Sequence, residues 1–444
     1  MSTRRIPTWL LLILVSVGLV VLAIPGLWVF VSLTNTPLYP HPESVPTAMD
    51  SAPLPKWTGA VNHARQGVRA SVAGQNLPGL SVAVGIDGDM VWAEGFGFAD
   101  LKTSVPVTPK HRFRIGTAST VLTSAAAGLL LERGRLKLDD EIQTYVPTFP
   151  RKQWPVTMRQ LMGHTAGIVI DGGDGGALFA KHCERTVEAL KYFADSPLLF
   201  QPGTQFRFSS NGWILVSTAV EAAAEEPFLV FMRKQIFDPL GMRDTIADPG
   251  RIDAGEDFPL VNMVRELIYD PEARRGTKQD SRKRPADGRV TPYFTRFASD
   301  PKRGLHLMRP LDYSCYAGAS VFVSTPSDMV RFGMAMNGGA FLKPATVRLL
   351  QTAQRLTSGE GTGYGLGWNP RTVTMAGKPT RLVGQDGNSL GGMVASLMTL
   401  PDYGIVVAVT SNISHADTAA IGLQIAESFV EQGEFQRLRL ESVP

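Results

Sequence analysis

An apolar run over residues 6–33, led by Arg4 and Arg5 and interrupted by proline and small or weakly polar residues, opens the chain. It exceeds the roughly 20 residues that a bilayer requires. A cleaved signal peptide has an apolar core of about 7–15 residues that ends in a small-x-small site. Here only Val21-Leu22-Ala23 approaches such a site, and apolar residues continue past it. The pattern favours an uncleaved, single-pass membrane anchor at 6–33, with a cytoplasmic stub at 1–5, over the alternative of a cleaved signal peptide. The rest then lies outside, in a periplasmic or extracellular space.

Residues 34–58 are rich in Pro, Ser and Thr and read as an extended linker. Apolar alternation over 79–86 and 90–98, around Asp87-Gly88-Asp89, predicts a hairpin. Residues 118–133 are rich in Ala and Leu and predict a buried helix. From there to about residue 313 strong strand signals are lacking, so this block reads as helical with long loops. A helix at 326–336 follows. Two strands, 393–400 and 404–411, flank Pro401-Asp402-Tyr403, and an amphipathic helix at 415–430 closes the pattern. Strands at both ends with helices between them imply an α/β fold of the α+β kind. Its central antiparallel sheet is closed by the first and last segments of a domain spanning 59–432. A mostly helical lobe over about 118–315 is inserted, and 433–444 forms a tail. The natural cleft of such a layout lies between sheet and lobe.

At 444 residues and 44% hydrophobic, the chain can bury a large core, and 19% charged residues argue against bulk disorder. The net charge of +4 has a local source, because residues 272–289 carry Arg274, Arg275, Lys278, Arg282, Lys283, Arg284 and Arg289. That concentration sets aside a nucleic-acid surface. It reads as a solvated insertion loop, with an anionic polymer or lipid head group as its alternative partner. Cys183 and Cys315 allow two readings, one bridge formed outside the cytoplasm or two separate thiols. The histidines are scattered without zinc-ligand spacing, and the glycine-rich segment 171–176 lacks phosphate-loop or calcium-loop spacing. No metal or cofactor is expected.

The candidate chemistry centres on Phe113-Arg114-Ile115-Gly116-Thr117-Ala118-Ser119-Thr120 at the head of the predicted helix. Further anchors follow in order: Leu138-Asp139-Asp140, His164-Thr165-Ala166-Gly167, Pro202-Gly203-Thr204, Ala317-Gly318-Ala319, Tyr364-Gly365-Leu366-Gly367-Trp368 and Pro401-Asp402. Together they resemble the β-lactamase-related serine hydrolase family of class C β-lactamases, penicillin-binding proteins, D-alanyl-D-alanine carboxypeptidases and esterases. The resemblance implies acyl transfer through a covalent acyl-enzyme, without a metal. In that family Phe-x-Ile-Gly leads into Ser-x-x-Lys, where Ser attacks a carbonyl and Lys takes its proton. This chain has Thr117 and Thr120 at those positions, and a hydroxyl cannot act as the lysine does.

The family's Tyr-x-Asn motif aligns with Phe208-Ser209-Ser210, and a one-residue slip would bring in Asn211. Its Lys/His-Thr/Ser-Gly motif aligns with Gln385-Asp386-Gly387, which exchanges a cation for an acid. The expected function is therefore a catalytically impaired pseudoenzyme, a binding or regulatory module of the cell envelope. Asn211, Gly387, Asn388 and Ser389 would line its small-molecule or peptide site. The alternative is an active esterase or amidase with Thr117 as nucleophile and Asp386 as base. It requires the carboxylate within about 3.2 Å of the Thr117 hydroxyl, or one water away. Gly387-Asn388-Ser389-Leu390-Gly391 matches another fold's nucleophile elbow, but that elbow needs a helix after it and a strand is expected here.

Overall fold

The computed structural model describes residues 37–170, 182–247, 288–295, 305–308, 311–389 and 392–441, with scattered positions between 9 and 30. Most of the expected anchor, the glycine-rich segment 171–176 and the basic residues 272–287 lie outside these. Among the described residues, no helix is long and apolar enough to cross a membrane.

The domain opens with β1 (Thr47–Met49), helix α1 (Thr58–Gly74), the hairpin β2 (Gly79–Ile86) and β3 (Asp89–Asp100), then β4 (Val105–Pro106) and β5 (Phe113–Arg114). The lobe follows, with α2 (Ser119–Glu132), α3 (Met158–Met162), α4 (Ser210–Ala224), α5 (Phe228–Met232), β6 (Ile246–Ala247), β7 (Tyr293–Thr295) and β8 (Leu305–Leu307). Next come α6 (Ala317–Ser320), β9 (Phe322–Ser324), α7 (Pro326–Asn337) and α8 (Pro344–Gln351). The chain then returns to the sheet through β10 (Asn369–Met375), β11 (Lys378–Ser389), β12 (Met393–Leu400) and β13 (Ile405–Ser411), and ends in α9 (Thr418–Glu441).

The main sheet runs β1-β3-β2-β13-β12-β11-β10, and every neighbouring pair is antiparallel. The early and late hairpins meet at β2 and β13, where Leu80 lies opposite Ser411. Every residue of β2, β12 and β13 is buried. Both sheet faces are covered, so these strands read as nearly continuous apolar runs. Leu80, Val82, Val84, Val407 and Val409 pack with α1 and α9 on the outer face. Ala83, Val383, Ala395, Leu397 and Ala408 pack against the lobe on the other.

Two expectations need correction, and one pair of strands had no expectation. The segment read as a linker is part of the domain from Leu38 onward. Tyr39 and Val45 are buried in the outer-face core, Tyr39 donates to the Pro78 carbonyl at 2.7 Å, and Thr47 pairs with Phe96. The prolines limit helix here to the short 3-10 turns Pro42–Ser44 and Pro55–Trp57, but the apolar side chains between them still bury. Strands β10 and β11 had no clear sequence pattern, since Pro370, Arg371, Pro379 and Arg381 interrupt any alternation. β10 is an edge strand with one buried residue, where prolines and polar side chains are tolerated. The helical block also contains the short strands β6, β7 and β8.

Of the two readings for the cysteines, the structure has the bridge. Cys183 and Cys315 are disulfide-bonded with Cα atoms 5.0 Å apart, and both are buried in the lobe core.

Candidate functional site

Strand β5 places the helix head against the sheet. Phe113 and Arg114 pair with β9, and the Ile115 N–H donates to the Phe322 carbonyl at 3.2 Å. Gly116 then adopts φ 53°, a left-handed conformation that a side chain would strain. A 3-10 turn, Gly116–Ala118, delivers Thr117 half-buried to the edge of β11. β10 covers that edge only as far as Gly384, so the residues after it are free to meet the turn. The Thr117 hydroxyl donates to the Asp386 carbonyl at 3.3 Å and accepts from the Asn388 N–H at 3.4 Å. It occupies the place of a neighbouring strand's polar group.

Strand alternation separates the third motif between the two sheet faces. Gln385 and Gly387 lie opposite Leu397 and Ala395 on the lobe face. A Cβ on Gly387 would stand 2.6 Å from the Ala118 N and closer still to the Ile115 carbonyl oxygen. The glycine is thus what lets β11 lie against the Thr117 turn. Asp386 lies opposite Ser396, whose hydroxyl hydrogen-bonds Thr418 at the start of α9 on the outer face. Its carboxylate pairs with Arg371 at 3.4 Å, both partly exposed, and such a pair is worth little. The expected pair of the Thr117 hydroxyl with the Asp386 carboxylate is thus not formed as a direct hydrogen bond. The hydroxyl meets the backbone of Asp386, while its carboxylate is turned away on the other face.

Thr120 is fully buried, and its hydroxyl donates to the Thr117 carbonyl at 2.9 Å. Beside it stands a side chain that the sequence reading treated as a packing anchor only, Tyr364. Its phenol donates to Gln385 Oε1 at 3.2 Å and lies beside the Thr120 hydroxyl, whose own proton goes to the Thr117 carbonyl. Burial raises the Tyr364 pKa well above the usual phenol value, against the smaller opposing effects of Thr120 and Gln385. The group therefore stays protonated. An uncharged Thr120–Tyr364–Gln385 group thus stands behind the Thr117 turn. Only the tyrosine at the head of Tyr-Gly-Leu-Gly-Trp could have signalled it.

The second motif joins through His164. Its ring lies 5.0 Å from Tyr364 and 4.3 Å from Phe208, and Phe206 lies 5.8 Å from Tyr364. His164 has φ 57° and two N–H groups facing its ring, Ser209 N at 3.1 Å from Nδ1 and Trp213 Nε1 at 3.2 Å from Nε2. A neutral imidazole can accept only one of them, and a protonated one neither. Burial lowers its pKa from the ordinary 6.5 to about 3. The folded protein thus disfavours the charged ring, and the stability this confers is complete above pH 6.5 and is lost as pH falls towards 3. Between pH 7 and 4.5 the expected loss is about 2–3 kcal/mol. Urea denaturation of wild type and His164→Gln at both pH values should show that part of the slope vanish in the variant.

Ser209 caps α4 by accepting from the Gly212 N–H at 3.2 Å. The Ser209 hydroxyl and the Asn211 amide both donate to the Val169 carbonyl, at 2.9 Å and 3.1 Å. Asn211 is buried and engaged by backbone, and Ser210 is half-buried in the first turn of α4. Asn388 lies on the free edge, and Ser389 closes β11 opposite Met393. Among the described residues no group of three or more His, Cys, Asp or Glu side chains could hold a metal ion.

Residues 64–428 match the beta-lactamase family. The chain belongs to that family. The mitochondrial serine beta-lactamase-like protein LACTB of Bos taurus is 26% identical, over 79% of this chain and 76% of its own length. Penicillin-binding protein 4* of Bacillus subtilis is 23% identical, over 63% of this chain and 57% of its own. Among solved structures, EstCE1, a hydrolase with promiscuous acyltransferase activity, superposes with TM-score 0.64 at 19% identity, over 83% of this chain and 98% of that one. At that identity the likeness speaks for the fold.

Proposed function

We propose that this is a catalytically impaired, membrane-held member of the beta-lactamase family that binds a ligand in its cleft instead of acylating on it. One observation carries the proposal. Thr117 spends its hydroxyl proton on a backbone carbonyl, and among the described residues no carboxylate, amine or imidazole hydrogen-bonds to that hydroxyl. Loss of a positioned general base costs about 10²- to 10⁴-fold on its own. The side chains around Thr120 and Gln385 are uncharged, which suits a small molecule or peptide lacking the carboxylate that the family's cation receives. The length of the apolar run and its leading arginines support the anchor at 6–33. The Cys183–Cys315 bridge supports an extracytoplasmic domain, because disulfides persist in oxidising compartments. The basic segment 272–289 would meet an anionic surface.

Intact mass of the full chain tests the cleft, after incubation with a fluorophosphonate and with a β-lactam, beside Thr117→Ala. The expected result is no covalent adduct on either protein. An adduct on wild type that is absent from Thr117→Ala would establish an acyl hydrolase with Thr117 as nucleophile. The Asn388 N–H beside that hydroxyl would then be its natural oxyanion donor.

A further inference from the structure

A second cavity, of about 190 Å³, adjoins the segments that carry the aromatic wall of the cleft, and none of the three motifs contributes to its lining. Its frame is a row of residues from three separate segments, joined by backbone hydrogen bonds. Gln160 O accepts from the Thr165 N–H, Thr165 O from the Gly203 N–H, and Gly203 O from the Thr357 N–H, each at 2.8 Å. Gly203 has φ 86°, and a Cβ there would stand 3.1 Å from Thr357 Cγ2 and 3.7 Å from Gln160 Nε2. The glycine thus keeps the space between them open.

Two arginines line this cavity and no carboxylate does. Arg355 is positioned within its own turn, with Nη1 donating to Gly359 O at 2.8 Å, and among the described residues no carboxylate pairs with it. Arg159 binds the exposed Asp139 through Nε at 2.7 Å and Nη2 at 2.8 Å, which leaves Nη1 over. Two cations are therefore set against one acid that stands outside the lining. Gln160 Oε1 accepts from the Thr157 N–H at 2.9 Å in the capping box of α3, so Nε2 is the end of the amide that remains. Among the described residues neither that Nε2 nor the hydroxyl of the buried Thr165 has a hydrogen-bond partner.

We propose that this cavity binds one small oxyanion of the phosphate class, free or as the phosphate of a small monoester, between Arg159 and Arg355. The volume equals roughly six water molecules at about 30 Å³ each, enough for such a group and below the range of drug-sized ligands. A planar carboxylate is satisfied by a single guanidinium fork. Two guanidinium groups with an amide and a hydroxyl, drawn from separate segments, instead suit an acceptor with oxygens on several sides. The site borders the cleft through the backbone. Thr165 follows His164, and Gly203 precedes Phe206 by three residues. The Gln354 N–H, next to Arg355, donates to the Tyr364 carbonyl at 2.8 Å. A bound phosphate would clamp the three segments that carry His164, Phe206 and Tyr364. The site stands whether or not Thr117 acylates, and it needs no membrane.

Calorimetric titration of the full chain in neutral detergent tests the site, with inorganic phosphate and with glycerol phosphate at an ionic strength held constant by chloride. The expected result is saturable binding that Arg355→Gln weakens about tenfold or more, because a hydrogen bond to a charged group is lost. Asp139→Asn should strengthen it severalfold, because the Arg159 guanidinium is released from its carboxylate. Arg355 is exposed, so glutamine should leave the fold intact, which thermal unfolding without phosphate checks. Equal binding of the two ligands supports free phosphate as the occupant, and binding of the ester alone supports a phosphomonoester. No saturable binding of either by the folded chain at millimolar concentrations overturns the proposal. Binding that both Arg355→Gln and Arg159→Gln leave undiminished also overturns it, by placing the anion elsewhere on the chain. Hydrogen exchange over residues 353–365 should slow when phosphate binds, and unchanged exchange there overturns the clamp on the cleft wall.

Discussion

Replacing Cys183 and Cys315 together by Ser should lower the stability of the domain by about 5 kcal/mol, the chain-entropy value for a closed loop this long. The bridge spans a sequence separation of 132, so it removes much of the freedom of the unfolded chain. Its location makes the cost local as well. The Cys183 N–H donates to the Ser314 hydroxyl at 2.9 Å, and the turn at Ser314–Tyr316 leads into α6. α6 is tied to the nucleophile helix through the Thr123 hydroxyl, which donates to the Gly318 carbonyl at 2.8 Å. Losing the bridge therefore loosens the wall behind Thr120 along with the lobe. Equilibrium denaturation of wild type and of the double Ser variant measures the effect. A midpoint that barely moves would mean that the bridge does not form in the folded protein.

Thr120→Lys, which restores the family residue, should cost about 3–5 kcal/mol and should not restore acylation. Thr120 is fully buried, between the Thr117 carbonyl and the Tyr364 phenol. A lysine there must bury an ammonium without a carboxylate among its described neighbours, or give up its proton. It also adds volume to a filled site, which costs on its own account. The nucleophile position gains nothing, because the Thr117 hydroxyl remains bonded to β11. Denaturation and intact mass with the fluorophosphonate, run on Thr120→Lys and on Thr120→Val, separate the two effects. The valine variant keeps the shape and loses the hydrogen bonds, so it should fall by only about 1 kcal/mol. A lysine variant as stable as wild type that also takes the probe would show an active site one residue from competence, and the binding-module proposal would lose its basis.

Much of this protein was legible before its structure. The buried helix at 118–133 forms as Ser119–Glu132, and the last two strands form as Met393–Leu400 and Ile405–Ser411. These elements have strong periodicity or unbroken apolar content, so local pattern and tertiary burial agree. The linker reading failed because proline content reports what a backbone cannot do. It does not report whether Tyr39 and Val45 find a core. β11 has no apolar alternation at Gln385, Asp386 and Asn388, and its place is fixed by β12 and the Thr117 turn.

By itself the sequence determined the family and the antiparallel sheet closed by its two ends. Composition and order of residues suffice for those, because each is a property of the chain read in line. Tertiary structure alone decided that Asp386 turns its carboxylate to the far face while offering Thr117 its backbone. It alone also placed the Tyr364 phenol between Thr120 and Gln385 and closed Cys183 on Cys315. Such outcomes depend on strand register and on contacts between residues more than a hundred positions apart, and a side chain's face is set by its partner strand, which no local pattern encodes.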